Sequence, residues 1–260
     1  MTASSPQPLD LSPRPGAAPL PQQVVAQARM EARLMLRNGE QLLLAVVIPV
    51  IVLVGGVAGA HRIGLHFDES AVDAFTPGVL ALAVMSTAFT SLAIATGFER
   101  RYGVIKRLGA SPLPRTGLLA GKVGALLLVE LGQVVLIGVV ALLLGWQPHP
   151  GWLGALLALV LGTAAFAALG LLVAGTLRAE ATLAAANLVY LLLLAGGAVV
   201  LPADAYGGWG SVAQWLPSGA LGEALRAALI DGRTDWLALL VLAAWAALGS
   251  ALTARTFTWE

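Results

Sequence analysis

The chain has no cysteine, which removes disulfides, thiolate metal sites and cysteine nucleophiles from consideration. It is also poor in charge. Only 11% of its 260 residues are Asp, Glu, Lys or Arg, against roughly a quarter in soluble domains. The net charge is +1, so no excess positive field exists to draw nucleic acid. A nucleotide-binding loop is lacking too. Gly117-x-x-x-Gly121-Lys122 mimics one, but it has three intervening residues where four are needed, and Val123 stands where Ser or Thr would hold magnesium. No Ser/His/Asp arrangement and no pair of intramembrane carboxylates supports a hydrolase. His61, His66, Asp68, Glu69 and Asp73 gather in one stretch, but without the spacing of a preformed metal site. No metal is expected.

What the chain has in excess is apolar surface. Hydrophobic residues make up 58% of it, more than one soluble core can hide, so an integral membrane protein follows. The expected fold class is all-α. Six apolar segments approach the ~20 residues a bilayer requires: 41–60, 75–97, 117–144, 152–177, 182–201 and 234–254. Together they define a transmembrane domain over 41–255. Pro49 falls within the first segment and predicts a kink there. Trp146, Trp152, Trp209, Trp215, Trp236 and Trp259 fall near the ends of segments, where amphipathic rings favour the interface.

Residues 1–21 contain Pro6, Pro8, Pro13, Pro15, Pro19 and Pro21 with few large apolar side chains. This composition predicts a disordered tail. The first long apolar run begins near Leu42, too far along for a signal peptide to be expected. Residues 22–40 read as an amphipathic helix. Val24, Val25, Ala28, Ala32, Met35 and Leu36 share an arc, and Arg29, Arg33 and Arg37 form a stripe beside it. An apolar face with a basic edge suits a helix lying among headgroups. The charges also orient the spans. Arg62, Arg226 and Arg233 fall on one side, and the other twelve of the fifteen basic residues fall on the side of both termini. By the positive-inside rule both termini, including the short tail 256–260, are expected in the cytoplasm.

The densest basic stretch is Phe98 to Lys122, with Arg100, Arg101, Lys106, Arg107, Arg115 and Lys122 between two spans. Glu99 and Arg100 leave the second span. Gly103, Val104, Ile105 and Leu108 follow, and Ser111-Pro112-Leu113-Pro114 stops any helix. The order predicts a short amphipathic helix over Glu99–Leu108, held on a proline bracket. Such a helix has the shape of a part pushed by a partner.

The run ERRYGVIKRLGASPLPR resembles the cytoplasmic loop of ABC-2 type transporter permeases, the daunorubicin and multidrug-resistance permeases among them. The resemblance extends over about residues 22 to 255 in hydropathy layout. It includes a second motif in the segment 202–233, where Pro202, Trp215-Leu216-Pro217 and Leu225-Arg226 are similar to the external re-entrant helices of that family. The resemblance implies a non-catalytic transmembrane subunit of a bacterial inner-membrane exporter, moving a drug, antibiotic or lipid-like substrate. The 22–40 helix would be its elbow helix. Glu99, Arg100, Arg101, Gly103, Val104, Ile105 and Leu108 would form its coupling helix, docked on a separate ATP-binding subunit that holds ATP and magnesium. No cofactor is expected in this chain, and a second permease chain, identical or related, is expected beside it.

Inside the spans, Glu130 is the ionisable residue set deepest, with Gln133 on the same face. A carboxylate there must face protein or water, which leaves a substrate or proton contact and a buried hydrogen bond both open. The second span carries Met85, Phe89 and Thr90. The fifth carries Asn187, Tyr190 and Leu194 at helical spacing. In the resembled family these two spans line the substrate path at the dimer interface. An ATP-independent carrier working through Glu130, or an assembly scaffold, is the alternative reading.

Overall fold

The structure is a computed structural model, and it describes residues 18–39, 43–63, 69–109 and 114–256. The expected tail falls largely outside the described residues, as do most of the loop with His66 and Asp68, the bracket 110–113 and residues 257–260. No β-strand occurs among the described residues.

An amphipathic helix, α1 (Leu20–Arg37), leads the chain. The first span is a π-helical turn, Leu43–Val47, continuing into α2 (Ile48–Ile63). The second is α3 (Ala71–Arg101), whose centre is π-helical over Met85–Ser91. A short helix, α4 (Val104–Gly109), then precedes the third span, α5 (Arg115–Leu143). The fourth and fifth spans are α6 (Trp152–Thr176) and α7 (Ala179–Gly196). Beyond them come a 3₁₀ stretch (Ala203–Trp209), a single turn α8 (Gly210–Ala213) and α9 (Pro217–Leu229). The sixth span is α10 (Trp236–Thr256). Six of these helices are long and apolar enough to cross a bilayer.

The spans do not share the interior equally. In α3, 89% of the apolar window is buried, against 22–39% in the other five. The helix is therefore the axis of the bundle, touched by α2, α5, α6, α7 and α9. Small residues let the backbones approach it. A Cβ at Gly78 would lie 2.7 Å from the Val199 oxygen, and one at Gly170 would lie 2.8 Å from the Phe89 oxygen. Close packing of this kind drives helix association where lipid removes the hydrophobic difference.

Two irregular places depart from the expected spans, and each has a physical reason. Pro49, expected to kink the middle of the first span, stands at the second residue of α2, just past the π-helical turn. It has no N–H to return to the carbonyl of Ala45, and Gln133 Nε2 of α5 donates there instead. The fifth span, expected over 182–201, ends at Gly196. Residues 197–200 are bends buried among helices, with Ala198 at φ +51°. Their carbonyls are met from α9. Arg226 donates to Ala198 (3.0 Å), Val199 (3.3 Å) and Val200 (3.4 Å), and Ser218 donates to Gly197 (2.8 Å). Arg226 also pairs with Glu223 at 3.1 Å. It is buried, with only 7% of its surface exposed, whereas charge counting used it only as one of three basic residues on the side opposite the termini.

Replacing Arg226 with Met keeps bulk but strips the donors from three buried carbonyls and from Glu223. The expected result is a loss of roughly 3 kcal/mol in stability, read as a lowered unfolding temperature of the detergent-purified chain. A melting curve that overlays the unaltered protein would show that the bends do not depend on this guanidinium.

Candidate functional site

The basic loop forms one end of the bundle. α3 closes there with an αL cap: the N–H of Tyr102 returns to Phe98 (2.9 Å), that of Gly103 to Arg100 (3.1 Å), and Gly103 has φ +66°. Glycine takes this conformation without the steric cost a Cβ adds. The expected single helix over Glu99–Leu108 is therefore two pieces. Glu99, Arg100 and Arg101 belong to the last turn of the central span, while Val104, Ile105 and Leu108 lie on α4. Val104 is half-buried and Lys106 and Arg107 are exposed. The side chains of Ile105 and Leu108 lie outside the described residues.

The end of α3 is tied to its neighbours by charge. Lys122 of α5 is buried, and its Nζ lies 2.7 Å from the Glu99 carboxylate and 3.0 Å from Glu31 Oε1 of α1. Gln27 Nε2 donates to the same Glu31 oxygen at 2.9 Å. One ammonium thus joins three helices: the leading helix, the central span and the third span. Arg100 donates to the carbonyls of Ala174 and Leu177, where α6 ends, which satisfies carbonyls that a helix terminus leaves open. Arg101 pairs with Glu180 at the start of α7. Between these ends lies a cleft of about 540 Å³ walled by Gly97, Arg100, Arg101, Thr176 and Arg178.

α1 packs along α5 through part of the arc expected from its apolar residues, with Ala32 against Ala125 and Val129 and Met35 beside them, but the contact is turned toward its polar side. Its buried residues are Gln27, Ala28, Glu31 and Ala32, and Ala28 meets the bare backbone of Gly124. Val25 and Leu36, placed with Ala28 by helical arithmetic, are exposed at 47% and 52%. The reason is Lys122: it draws Glu31 inward and turns the helix about its axis. Arg29, Arg33 and Arg37 remain exposed beside Met30 and Leu34, a surface suited to headgroups.

In the interior, Glu130 Oε2 accepts from Thr163 at 2.7 Å, joining α5 to α6. Gln133 Oε1 accepts from Thr87 at 3.0 Å while its amide serves Ala45, so it joins three spans. Of the expected path residues, Met85, Phe89, Thr90 and Tyr190 are enclosed by the chain's own helices, and Asn187 and Leu194 are half-buried. Among the described residues, the hydroxyls of Ser86, Thr90, Ser91 and Tyr190 have no hydrogen-bond partner. The exposed side of α7 carries Leu188, Leu191 and Leu192 instead.

Gln27, Glu31 and Lys122 escaped the sequence reading. Lys122 was readable only as a topology anchor, although it sits one turn and more inside an apolar segment, where a charge needs a partner.

Lys122→Met leaves two buried carboxylates facing one another and is expected to destabilise the chain by roughly 3–5 kcal/mol. The triple variant Lys122→Met/Glu31→Gln/Glu99→Gln removes the charges together and should recover most of that loss. Thermal unfolding of the unaltered chain and the two variants checks it, and a triple variant as unstable as the single one would contradict it.

A family model for the ABC-2 type transporter matches residues 22–230. No curated protein matches the chain.

Proposed function

The chain belongs to the ABC-2 type transporter family, and we propose that it is the permease subunit of an ATP-driven exporter in a bacterial inner membrane, moving a hydrophobic or amphiphilic substrate outward. ATP and magnesium belong to a separate ATP-binding subunit, and a second permease chain completes the membrane part. Both termini then lie in the cytoplasm, on the side of the basic loop.

The observation that carries this reading is the mounting of α4. It hangs from the end of the helix at the centre of the bundle through the single left-handed residue Gly103. The end of α3 is in turn braced by Lys122 against α1 and α5 and by Arg100 against α6. A push on α4 reaches the axis of the fold directly. Val104, Ile105 and Leu108 supply the apolar anchors such a docking surface needs, with Lys106 and Arg107 at its rim. Closure of the ATP-binding subunits would move this element and part the helices around Met85, Phe89, Thr90, Asn187, Tyr190 and Leu194. The exposed leucines of α7 offer a face to the second permease chain.

The double variant Ile105→Ala/Leu108→Ala is expected to leave the chain in the membrane while at least tenfold less ATP-binding subunit co-purifies, since two lost apolar anchors cost about 2 kcal/mol or more. Undiminished co-purification and normal substrate-stimulated ATP hydrolysis would reduce the loop to a topology anchor.

A proton-coupled carrier is the second reading, favoured by one observation: Glu130 Oε1 is buried with no hydrogen-bond partner among the described residues. Glu130→Gln separates the two. Transport that persists with ATP and is indifferent to the proton gradient supports the exporter; transport abolished in the variant despite ATP supports the carrier.

A further inference from the structure

At the end of the bundle opposite α4, the turn α8, helix α9 and the start of α10 enclose a small pocket of about 50 Å³. Gln214, Trp215, Glu223 and Asp235 line it. An apolar groove of about 330 Å³ continues along α10, lined by Trp215, Leu237, Leu240, Trp245 and Leu248. Trp215, Leu237 and Val241 border both, so the polar pocket and the apolar groove share a wall.

The polar side chains of the pocket are only half used by the fold. Glu223 Oε1 accepts from Arg226 (3.1 Å) and from the N–H of Ala203 (3.0 Å). Asp235 Oδ1 accepts from the N–H of Ala238 at 3.1 Å and so caps α10. Gln214 uses its amide to donate to Ser211 (3.0 Å). That leaves Glu223 Oε2, Asp235 Oδ2 and Gln214 Oε1 with no hydrogen-bond donor among the described residues. Arg233 forms an ion pair with Asp235 Oδ2 at 3.8 Å, too long for a hydrogen bond, so the oxygen keeps its acceptor lone pairs. Three acceptor oxygens on two carboxylates and an amide, beside an indole face, are the chemistry that recognises an ammonium group with N–H donors. The groove beside them, with exposed Leu237, Leu240 and Leu248, is suited to an alkyl chain.

We propose that this is a binding site for an amphiphile with a primary ammonium head and an acyl tail, of which phosphatidylethanolamine is the membrane lipid. The head enters the pocket of Glu223, Asp235 and Gln214, and one chain follows the groove along α10. A trimethylammonium head lacks the N–H donors, and a glycerol head lacks the charge. The inference rests on the chain being a membrane protein and not on the exporter reading, because binding requires neither ATP nor a partner subunit.

The test is native mass spectrometry of the purified full-length permease in detergent. It is titrated in turn with phosphatidylethanolamine, phosphatidylcholine and phosphatidylglycerol of identical acyl chains. Phosphatidylethanolamine should be retained about tenfold more tightly than the other two, the worth of one charge-assisted hydrogen bond. Asp235→Asn keeps the cap of α10, because asparagine caps as well as aspartate, and it should bring phosphatidylethanolamine down to the level of phosphatidylcholine. Leu240→Trp fills the groove and should weaken phosphatidylethanolamine binding with the head pocket intact. Equal retention of the three lipids by the unaltered protein overturns the proposal, as does unchanged phosphatidylethanolamine binding in Asp235→Asn. Should that variant fail to fold, the comparison of the three lipids on the unaltered chain still decides.

Discussion

Hydrocarbon supplies no hydrogen bonds, so any backbone that leaves a regular helix inside a bilayer must find its partners within the protein. Much of this chain's architecture is the working out of that constraint. Pro49 frees the carbonyl of Ala45, and Gln133 reaches across from the third span to meet it. The bends at 197–200 expose four carbonyls in succession, and Ser218 and Arg226 meet them from one helix. The position of α9 follows from this: it must lie against the end of the fifth span, since its side chains complete what that span leaves open. Gly222 permits the approach, because a Cβ there would lie 2.8 Å from the Val199 oxygen.

The basic end obeys the same rule with charge in place of dipoles. Lys122 is buried, and a buried ammonium is tolerated only with well-placed counter-charges. Two are provided, from helices on either side of it. The pairing also explains why the leading helix lies as it does. Its polar Gln27 and Glu31 face the protein together with Ala28 and Ala32, while Val25 and Leu36 face outward. The end of the central span is therefore fixed by side chains to α1, α5, α6 and α7, while α4, the element proposed to receive force, hangs from it by one glycine.

The six spans were legible in the sequence because hydropathy and length suffice to mark a segment that must cross a bilayer. The break between the second and third spans was legible as a short helix, but its start was misplaced. Glu99, Arg100 and Arg101 look like the opening of a new amphipathic helix, and only the left-handed turn at Gly103 assigns them to the old one. The burial of Glu31, Lys122 and Arg226 was not legible. Glu31 and Arg226 lie on helices outside the six apolar segments and Lys122 lies early in one, and from sequence a charged side chain reaching outward to water looks the same as one reaching inward to a partner on another helix. The pairing of Glu31 with Lys122 spans ninety-one residues, and no local pattern encodes it. Nor does hydropathy rank the spans by burial: α3 is enclosed on nearly every side although three of the other five spans are more apolar.

The enclosure of α3 has a consequence for how the protein is made. Synthesis runs from the N-terminus, so this span leaves the ribosome second, while α6, α7 and α9, which cover much of it, do not yet exist. Until they arrive, Ser86, Thr87, Thr90 and Ser91 have lipid or the insertion machinery around them in place of protein. Thr87 gains Gln133 when the third span enters, and Gly78 gains its contact with Val199 and Val200 only after the fifth. The central helix is thus born early and closed in late.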